Sequence, residues 1–309
     1  MSSQTPTPVL FSYKTSPYAQ KIHYILTAAG IPYSELTQPP VLPRPELEDL
    51  GITYRRIPLL AVGRDVYADS AAIIDVILNE LGGKHKIETS KADKAYELWG
   101  NDTFKTVVPL LPVQALTPQF VSDRETIFPL LAHPERLKAQ QPIALADLKS
   151  RLAWVEDVYL ADRKEGAPLS LADIHIIWAL RWVLQDLGAA KRYPNLDQST
   201  YPRVYSLISA LPKKPAAKVL NKQDAHAAIL SSPATSSHSF SVAASDPLGI
   251  AQGTPVTVEN ADTKPGAHPQ KGKLIGTGKY EIVLGLETGV RLHFPRAGYL
   301  VREDGKARL

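Results

Sequence analysis

The sequence predicts a multidomain α+β protein, because its hydrophobic period changes twice along the chain. In residues 1–83 short apolar runs alternate with helical patterns, whereas residues 90–230 keep the period of helices throughout. Residues 240–309 change to the period of two that is typical of strands. The three ranges predict a mixed N-terminal domain, an all-helical domain and a small all-β extension that forms a barrel or curled sheet.

The first domain begins with a strand and a helix. Residues 8–13 read as a short apolar strand, and residues 14–17 as the turn that follows it. Apolar residues then recur at helical spacing, which predicts a helix over residues 18–29 that Gly30 ends.

The second half of this domain adds further strands and one helix. A proline-rich loop separates strands at residues 32–37 and 58–62, and a fourth strand follows after a tight turn. Asp69 or Ser70 then caps a helix that ends at Leu81. The resulting order, β-α-β, loop, β-β-α, is the thioredoxin-like arrangement.

The clearest helix of the middle domain is predicted over residues 171–187. Its start has a capping box, because the Ser170 side chain can accept a hydrogen bond from the backbone of Asp173 while Asp173 bonds back. We expect no strand between residues 90 and 230. Residues 231–239 lack apolar anchors and are predicted to be a linker.

The C-terminal extension is predicted to contain four or five short antiparallel strands. Glycine-containing turns separate the last four of them. The predicted strands cover residues 254–258, 273–277, 280–286, 290–294 and 298–302.

Composition excludes several classes of protein. The 309 residues are 44% hydrophobic, and the 35 basic and 31 acidic residues are intermixed, so no basic stripe indicates nucleic acid or membrane as a partner. We find no phosphate-binding loop, metal-ligand pair or nucleophile elbow. The polar start lacks a targeting pattern and no segment has about 18 consecutive apolar residues, which predicts a cytoplasmic protein. Cysteine is absent, so any thiol must come with a ligand.

Three motifs within residues 8–187 resemble the glutathione S-transferase superfamily. The first is the turn and helix start at residues 15–22, Thr-Ser-Pro-Tyr-Ala-Gln-Lys-Ile. The second is Arg-Ile-Pro-Leu at residues 56–59, with Asp-Ser at residues 69–70, and the third is the capping box at residues 170–173. Their order and spacing support the resemblance, and the Ser-Pro-aromatic turn at residues 16–18 resembles that of serine-type members.

The resemblance implies that Ser16 is the catalytic residue. Its hydroxyl would donate a hydrogen bond to the glutathione sulfur and favour the thiolate. Lowering a thiol pKa by two units requires about 2.7 kcal/mol, and a hydrogen bond to a charged acceptor supplies about 1.5–3 kcal/mol. The local alternative is that Ser16 only caps the helix that starts at Pro17. Tyr13 is a competing hydroxyl that fits the family less well.

The resemblance also implies a glutathione site in the same domain. Ile57 and Pro58 would form a cis peptide bond, and the backbone of Ile57 would pair with the cysteinyl part of the ligand. Asp69 would bind the γ-glutamyl amino group and Ser70 its carboxylate, whereas simple helix capping is the local alternative. Arg56, or its neighbour Arg55, could meet the glycine carboxylate.

A substrate pocket for a hydrophobic acceptor would be lined by Tyr13, Tyr18, Phe104 and Trp178. Aromatic residues at helical spacing are more often plain core, and so is His175.

The function implied by the resemblance is transfer of the glutathione thiolate to a small hydrophobic electrophile, with glutathione as co-substrate and no metal. A glutathione-dependent isomerase or lyase and a non-catalytic ligand-binding or regulatory protein are the alternatives. A homodimer is expected from the family. Residues 240–309 resemble an extension of some fungal transferase-like proteins. Their strand around residues 290–300 either contacts a ligand or partner or is a half-buried strand, which strand alternation favours.

Overall fold

The structure is a computed structural model that describes residues 6–164, 166–214, 217–231 and 240–305. The chain forms two compact units. One comprises Met1–Ile22, Ile31–Leu81 and Pro215–Leu309, and the other comprises His23–Gly30 and Gly82–Lys214. The thioredoxin-like domain and the C-terminal extension are therefore parts of one unit.

The thioredoxin-like part follows the predicted order of elements. Its strands and helices are β1 (Val9–Ser12), α1 (Pro17–Ala28), β2 (Ser34–Thr37), α2 (Pro45–Glu48), β3 (Leu59–Val62), β4 (Asp65–Ala68) and α3 (Ser70–Asn79). Helix α1 begins with proline at its first position, where the missing N–H costs nothing. Its apolar stripe, including Ile22, Ile25 and Leu26, is fully buried, as the spacing predicts.

The extension contributes five strands, close to the predicted positions. They are β6 (Pro255–Asn260), β7 (Gln270–Thr277), β8 (Glu281–Gly285), β9 (Arg291–Pro295) and β10 (Tyr299–Glu303). All of them pair antiparallel with one another, in the order β10-β6-β7-β8-β9. Only three residues separate β9 from β10, although these strands lie at opposite ends of that order. The five strands therefore form the predicted curled sheet.

The extension is not a separate sheet. Strand β9 pairs in parallel with β4, with Asp65 opposite Arg291 and Tyr67 opposite His293. In the described part of the chain this produces one ten-stranded sheet, β10-β6-β7-β8-β9-β4-β3-β1-β2-β5, in which β5 is the two-residue strand Lys218–Val219. The prediction divided the chain differently because hydrophobic period identifies a strand but not its partner.

A second difference concerns the end of the predicted helical domain. Strand β5 (Lys218–Val219) pairs with β2, and α10 (Lys222–Leu230) belongs to the same unit as the sheet. We expected no strand between residues 90 and 230. Two residues are too few to show a period, so this strand leaves no signal in the sequence. The predicted linker falls mostly on residues 232–239, which lie outside the described residues.

The second unit is helical. Its helices are α4 (Asp93–Val107), α5 (Pro118–Arg124), α6 (Pro134–Trp154), α7 (Leu171–Arg181), α8 (Ala189–Arg192) and α9 (Pro202–Ala210). Both bonds of the predicted capping box on α7 are present, at 2.8 and 3.1 Å. Every residue of α7 from Leu171 to Leu180 is buried. A methyl group on Gly100 would lie 2.0 Å from the His175 carbonyl oxygen, so α4 and α7 pack backbone against backbone.

Among the residues that the structure describes, no helix combines the length and the hydropathy needed to span a bilayer.

Candidate active site

Strand register brings three turns to the same end of the sheet. Strand β3 runs antiparallel to both β1 and β4, with Leu59 opposite Phe11 and opposite Ala68. The start of β3 therefore lies beside the ends of β1 and β4. We call this end of the sheet the site edge, and the turns at residues 13–16, 57–58 and 69–70 all adjoin it.

Ser16 occupies the start of α1. Its side-chain oxygen accepts a hydrogen bond from the Ala19 backbone N–H at 3.2 Å, and its own N–H donates to the Tyr13 carbonyl at 2.9 Å. The capping alternative therefore describes a real contact. A hydroxyl has one proton besides its two acceptor positions, so capping leaves the donor available for a second partner. The residue is only 3% exposed.

The Ile57–Pro58 peptide bond is cis, as the resemblance implied. A second cis bond, between Leu42 and Pro43, was not expected. Ile57 is 9% exposed and directly precedes β3 at the site edge.

Asp69 caps α3 in a strained conformation. Its φ of 75° and ψ of 142° lie close to a region that only glycine adopts readily, and such conformations cost about 1–3 kcal/mol. One carboxylate oxygen, Oδ1, accepts the backbone N–H of Ala71 at 2.9 Å. Ser70, the first residue of the helix, is 4% exposed.

The C-terminal extension reaches the same end of the sheet. Because β9 runs parallel to β4, both strands end at the site edge, and a three-residue turn leads from β9 to Tyr299. The Tyr299 hydroxyl donates to Oδ2 of Asp69 at 2.9 Å and lies 2.8 Å from the Tyr54 hydroxyl. The single Tyr299 proton is used on Asp69, since a carboxylate only accepts, so Tyr54 donates to Tyr299.

Both tyrosine hydroxyls keep their protons near neutral pH. Burial, and then the negative charge of Asp69, raise the pKa of Tyr54 to about 12. The same two causes, in the same order, raise the pKa of Tyr299 well above its ordinary value. The pair therefore forms a chain of neutral hydrogen-bond donors that ends on the Asp69 carboxylate.

Arg56 is also engaged by the extension. Its Nη2 donates to Oδ1 of Asp262 at 2.5 Å and to the Thr263 hydroxyl at 2.9 Å. The side chains of Arg56 and Asp262 are 26% and 45% exposed. An ion pair this accessible contributes about 0–1 kcal/mol, so a ligand carboxylate can replace Asp262 at little cost.

The aromatic residues predicted to line a substrate pocket fall in different units. Tyr13 and Tyr18 are half-buried in the first unit, where the Arg44 guanidinium lies 5.9 Å from the centre of the Tyr13 ring. Phe104 and Trp178 belong to the second unit, are 8% and 2% exposed and stack at 5.6 Å. For these two the placement favours the core alternative, because so little of either ring can touch a ligand.

Two side chains of β9, Arg291 and His293, contact the buried Asp65 of β4. Asp65 is fully buried and accepts hydrogen bonds from Arg291 at 2.6 and 2.5 Å, and His293 lies 3.0 Å from it through Nε2. The other ring nitrogen of His293 lies 3.0 Å from Glu281, and Tyr67 stacks on the imidazole at 4.5 Å. We call Asp65, Glu281, Arg291 and His293 the seam cluster, since it joins the extension to the thioredoxin-like sheet.

Sequence reasoning missed Tyr54, Tyr299 and Asp262 as members of the site. The stretch of residues 290–300 was noted as a possible ligand or partner contact, but strand alternation favoured a half-buried strand. Tyr299 sits at the first position after a glycine-containing turn. That position is a signal for a side chain at the end of a sheet, although it does not reveal which end.

Two family models match parts of the chain. Residues 10–85 match the model described as glutathione S-transferase, N-terminal domain, and residues 104–218 match a domain of unknown function, DUF7962. No curated protein sequence matches the chain.

Solved structures resemble the chain to different extents. A GST-like protein from Pseudomonas syringae is 23% identical, with a TM-score of 0.65 over 96% of this chain and 99% of its own. The glutathione transferase URE2P8 from Phanerochaete chrysosporium, solved with oxidized glutathione, is 16% identical and covers 69% of this chain and 93% of its own, with a TM-score of 0.45. A Methylobacillus flagellatus glutathione S-transferase with bound glutathione is 20% identical and covers 69% of this chain and 100% of its own, with a TM-score of 0.44.

The N-terminal match and the fold define the class of protein: a glutathione S-transferase-like chain with a thioredoxin-like domain, a helical domain and a C-terminal β extension. Residues 10–85 match the glutathione S-transferase N-terminal domain, and the likeness over the whole chain is one of fold. The serine type and the fungal-like subtype stay predictions.

Proposed function

We propose that this protein is a glutathione-dependent transferase that joins the glutathione thiolate to an electrophilic carbon of a small hydrophobic acceptor. The observation that carries the proposal is the strand register at the site edge, which assembles the turns of Ser16, Ile57–Pro58 and Asp69–Ser70. The match of residues 10–85 to the glutathione S-transferase N-terminal domain supports the choice of ligand. No residue of the chain is a cysteine, so the reactive sulfur belongs to the co-substrate.

Ser16 is proposed to stabilise the thiolate. The donor proton of its hydroxyl is not used in capping, and the positive end of the α1 dipole lies beside it. A hydrogen bond to a charged sulfur contributes about 1.5–3 kcal/mol and the helix terminus about 0.3–1 kcal/mol. Together these cover the roughly 2.7 kcal/mol that a thiol pKa lowered by two units requires.

The remaining site residues are proposed to hold the tripeptide. The backbone of Ile57 pairs with the cysteinyl unit beside Pro58, and the start of α3 at Ser70 receives the γ-glutamyl carboxylate. Asp69 binds the γ-glutamyl amino group through charge and hydrogen bonding. Arg56 releases Asp262 and binds the glycine carboxylate in its place.

The test compares Ser16→Ala with Ser170→Ala. Both variants remove a serine oxygen that accepts a backbone N–H three residues on, so both lose a cap worth about 1 kcal/mol. We expect calorimetry to show glutathione bound by both variants and the wild type. Conjugation to a chlorodinitrobenzene acceptor should fall about 10- to 150-fold in Ser16→Ala alone, because the lost hydrogen bond contributes about 1.5–3 kcal/mol and the helix terminus remains.

Wild-type protein that fails to bind glutathione contradicts the proposal, and so does Ser16→Ala protein with full turnover. Equal losses in Ser16→Ala and Ser170→Ala would indicate that capping alone matters.

A non-catalytic binding or regulatory protein is the second candidate. The contacts of Asp262 with Arg56 and of Tyr299 with Asp69 favour it, because the extension already engages two of the proposed ligand contacts. Glutathione binding without turnover of any tested electrophile would support this candidate. The isomerase or lyase alternative, the homodimer and the cytoplasmic location stay predictions.

A further inference from the structure

Tyr299 is the residue of the extension that touches the proposed ligand site most directly. Its ring packs against Phe294 at 5.2 Å and against Tyr54 at 6.3 Å. Tyr54 and Phe294 in turn meet edge to face at 5.3 Å. Three mutually packed rings fix the position of the Tyr299 hydroxyl, so its 2.9 Å bond to Asp69 has a defined direction.

The hydrogen bond from Tyr299 is the second one that holds the Asp69 carboxylate in place. Oδ1 accepts from the Ala71 N–H and Oδ2 accepts from Tyr299, so the plane of the carboxylate is determined by donors on two sides. Each ionised carboxylate oxygen has two acceptor positions, and one on each oxygen stays open for a ligand. The strained backbone of Asp69 requires such external support, because a conformation costing about 1–3 kcal/mol persists only where its surroundings determine it.

We propose that Tyr299, backed by Tyr54, is a positioning residue that orients the Asp69 carboxylate toward the amino group of a γ-glutamyl ligand. The C-terminal extension is then a structural part of the ligand site and sets its specificity for a free amino group. This inference rests on the proposed function, since it takes glutathione as the ligand.

The charges around Asp69 fit a positioning role for Tyr299. A neutral hydroxyl orients a carboxylate without neutralising it, whereas a lysine or arginine in the same place would compete with the ligand ammonium. Tyr54 has its own proton to donate to the Tyr299 oxygen, and each donor in such a chain strengthens the next. The negative charge of Asp69 therefore stays available for the ligand.

The experiment is a cycle that combines Tyr299→Phe with removal of the ligand amino group. Phenylalanine keeps the ring contacts and removes only the hydroxyl. Calorimetry would measure binding of glutathione and of its deamino analogue to both proteins. We expect Tyr299→Phe to weaken glutathione about tenfold, by loss of one hydrogen bond to a charged group, and to change binding of the deamino analogue less than twofold.

Tyr280→Phe is the matched control, because Tyr280 lies in the same extension with its side chain 73% exposed. It should bind both ligands as the wild type does. Tyr54→Phe removes the far donor of the chain and should weaken glutathione by a smaller factor, again without affecting the deamino analogue. This second variant keeps the inference testable if Tyr299→Phe does not fold.

Steady-state kinetics supply a readout that a merely structural role would not move. Tyr299→Phe should raise KM for glutathione about tenfold and leave kcat unchanged, because Ser16 is untouched. Equal weakening of the binding of both ligands would assign Tyr299 a general structural role. Unchanged glutathione binding would remove Tyr299 from the site. Either result overturns this inference and leaves the proposed function standing. Wild-type protein that binds neither ligand overturns the proposed function, and the inference with it.

Discussion

Two buried aspartates, one in each compact unit, both accept hydrogen bonds from an arginine and a ring side chain, but their partners lie at very different distances along the sequence. Asp173 in the helical unit is 1% exposed and is held by Arg163 at 2.7 Å and Tyr159 at 3.0 Å, which precede it by 10 and 14 residues. Asp65 in the sheet unit is fully buried and is held by Arg291 and His293, more than 220 residues later. The first arrangement is completed within a local stretch of chain, whereas the second requires the extension to be in place.

The largest effect should come from Asp65→Asn. This change removes the buried carboxylate that Arg291 and His293 share, which costs about 3–5 kcal/mol of folding free energy. Urea unfolding measures it. Asp173→Asn should cost less, because only one charged side chain, Arg163, loses its counterion and the other partner, Tyr159, is neutral. Limited proteolysis separates the two: Asp65→Asn should release fragments of the extension, and Asp173→Asn should not. Equal fragment release would contradict the proposed dependence on the seam cluster.

A smaller effect separates two substitutions of Asp69. Both Asp69→Gly and Asp69→Ala remove the cap and the carboxylate, but only alanine keeps the backbone strain at φ 75°. The glycine variant should be more stable than the alanine variant by about 1–2 kcal/mol, in thermal or urea unfolding. Glutathione binding should be weakened equally in both. Equal stabilities would show that the Asp69 conformation is not strained.

The smallest effect concerns pH. Burial lowers the pKa of His293, but hydrogen bonds to Asp65 and Glu281, together with their charges, outweigh burial and raise it. A raised folded-state pKa means that the folded protein holds the proton more tightly than the unfolded chain. The contribution of His293 is therefore complete below about pH 6.5 and is lost as pH rises through the raised pKa.

Unfolding free energies measured across that window should fall as the pH rises in the wild type, because the folded protein then loses the proton that it holds more tightly than the unfolded chain. His293→Gln should show a flatter profile, because glutamine does not titrate. A profile as steep as the wild type's would assign the pH dependence to other groups. At the acidic end Asp65 acts in the opposite sense: burial opposes its ionisation, but hydrogen bonds from His293 and Arg291 lower its pKa. Its contribution is therefore complete above its ordinary pKa and is lost progressively as the pH falls toward the lowered one.

Local signals predicted the parts of the molecule that are completed locally. The start of α1 after Ser16, the capping box of α7 and the strands of the extension all lie close to their predicted positions, because caps, periods and turns act over a few residues. At the site edge, the local elements and the family resemblance predicted the turns at residues 13–16, 57–58 and 69–70.

The remainder depends on pairing between distant segments. The parallel register of β4 with β9 sets both the seam cluster and the place of Tyr299, and no local pattern specifies that register. Strand β5 is too short to leave a signal. The alternation of residues 290–300 correctly indicated a strand, but it could not show that the turn before Tyr299 faces Asp69.

The pairing of β4 with β9 also bears on aggregation, because it covers one edge of the thioredoxin-like sheet. All four residues of β4 are buried, so a chain cut before the extension would present a strand with open backbone donors and acceptors. Such a strand is a template for aggregation, whereas the outer strands of the described sheet are the two-residue β5 and a β10 that carries Arg302 and Glu303. The extension covers this edge of β4, so its role is better studied by single substitutions than by truncation.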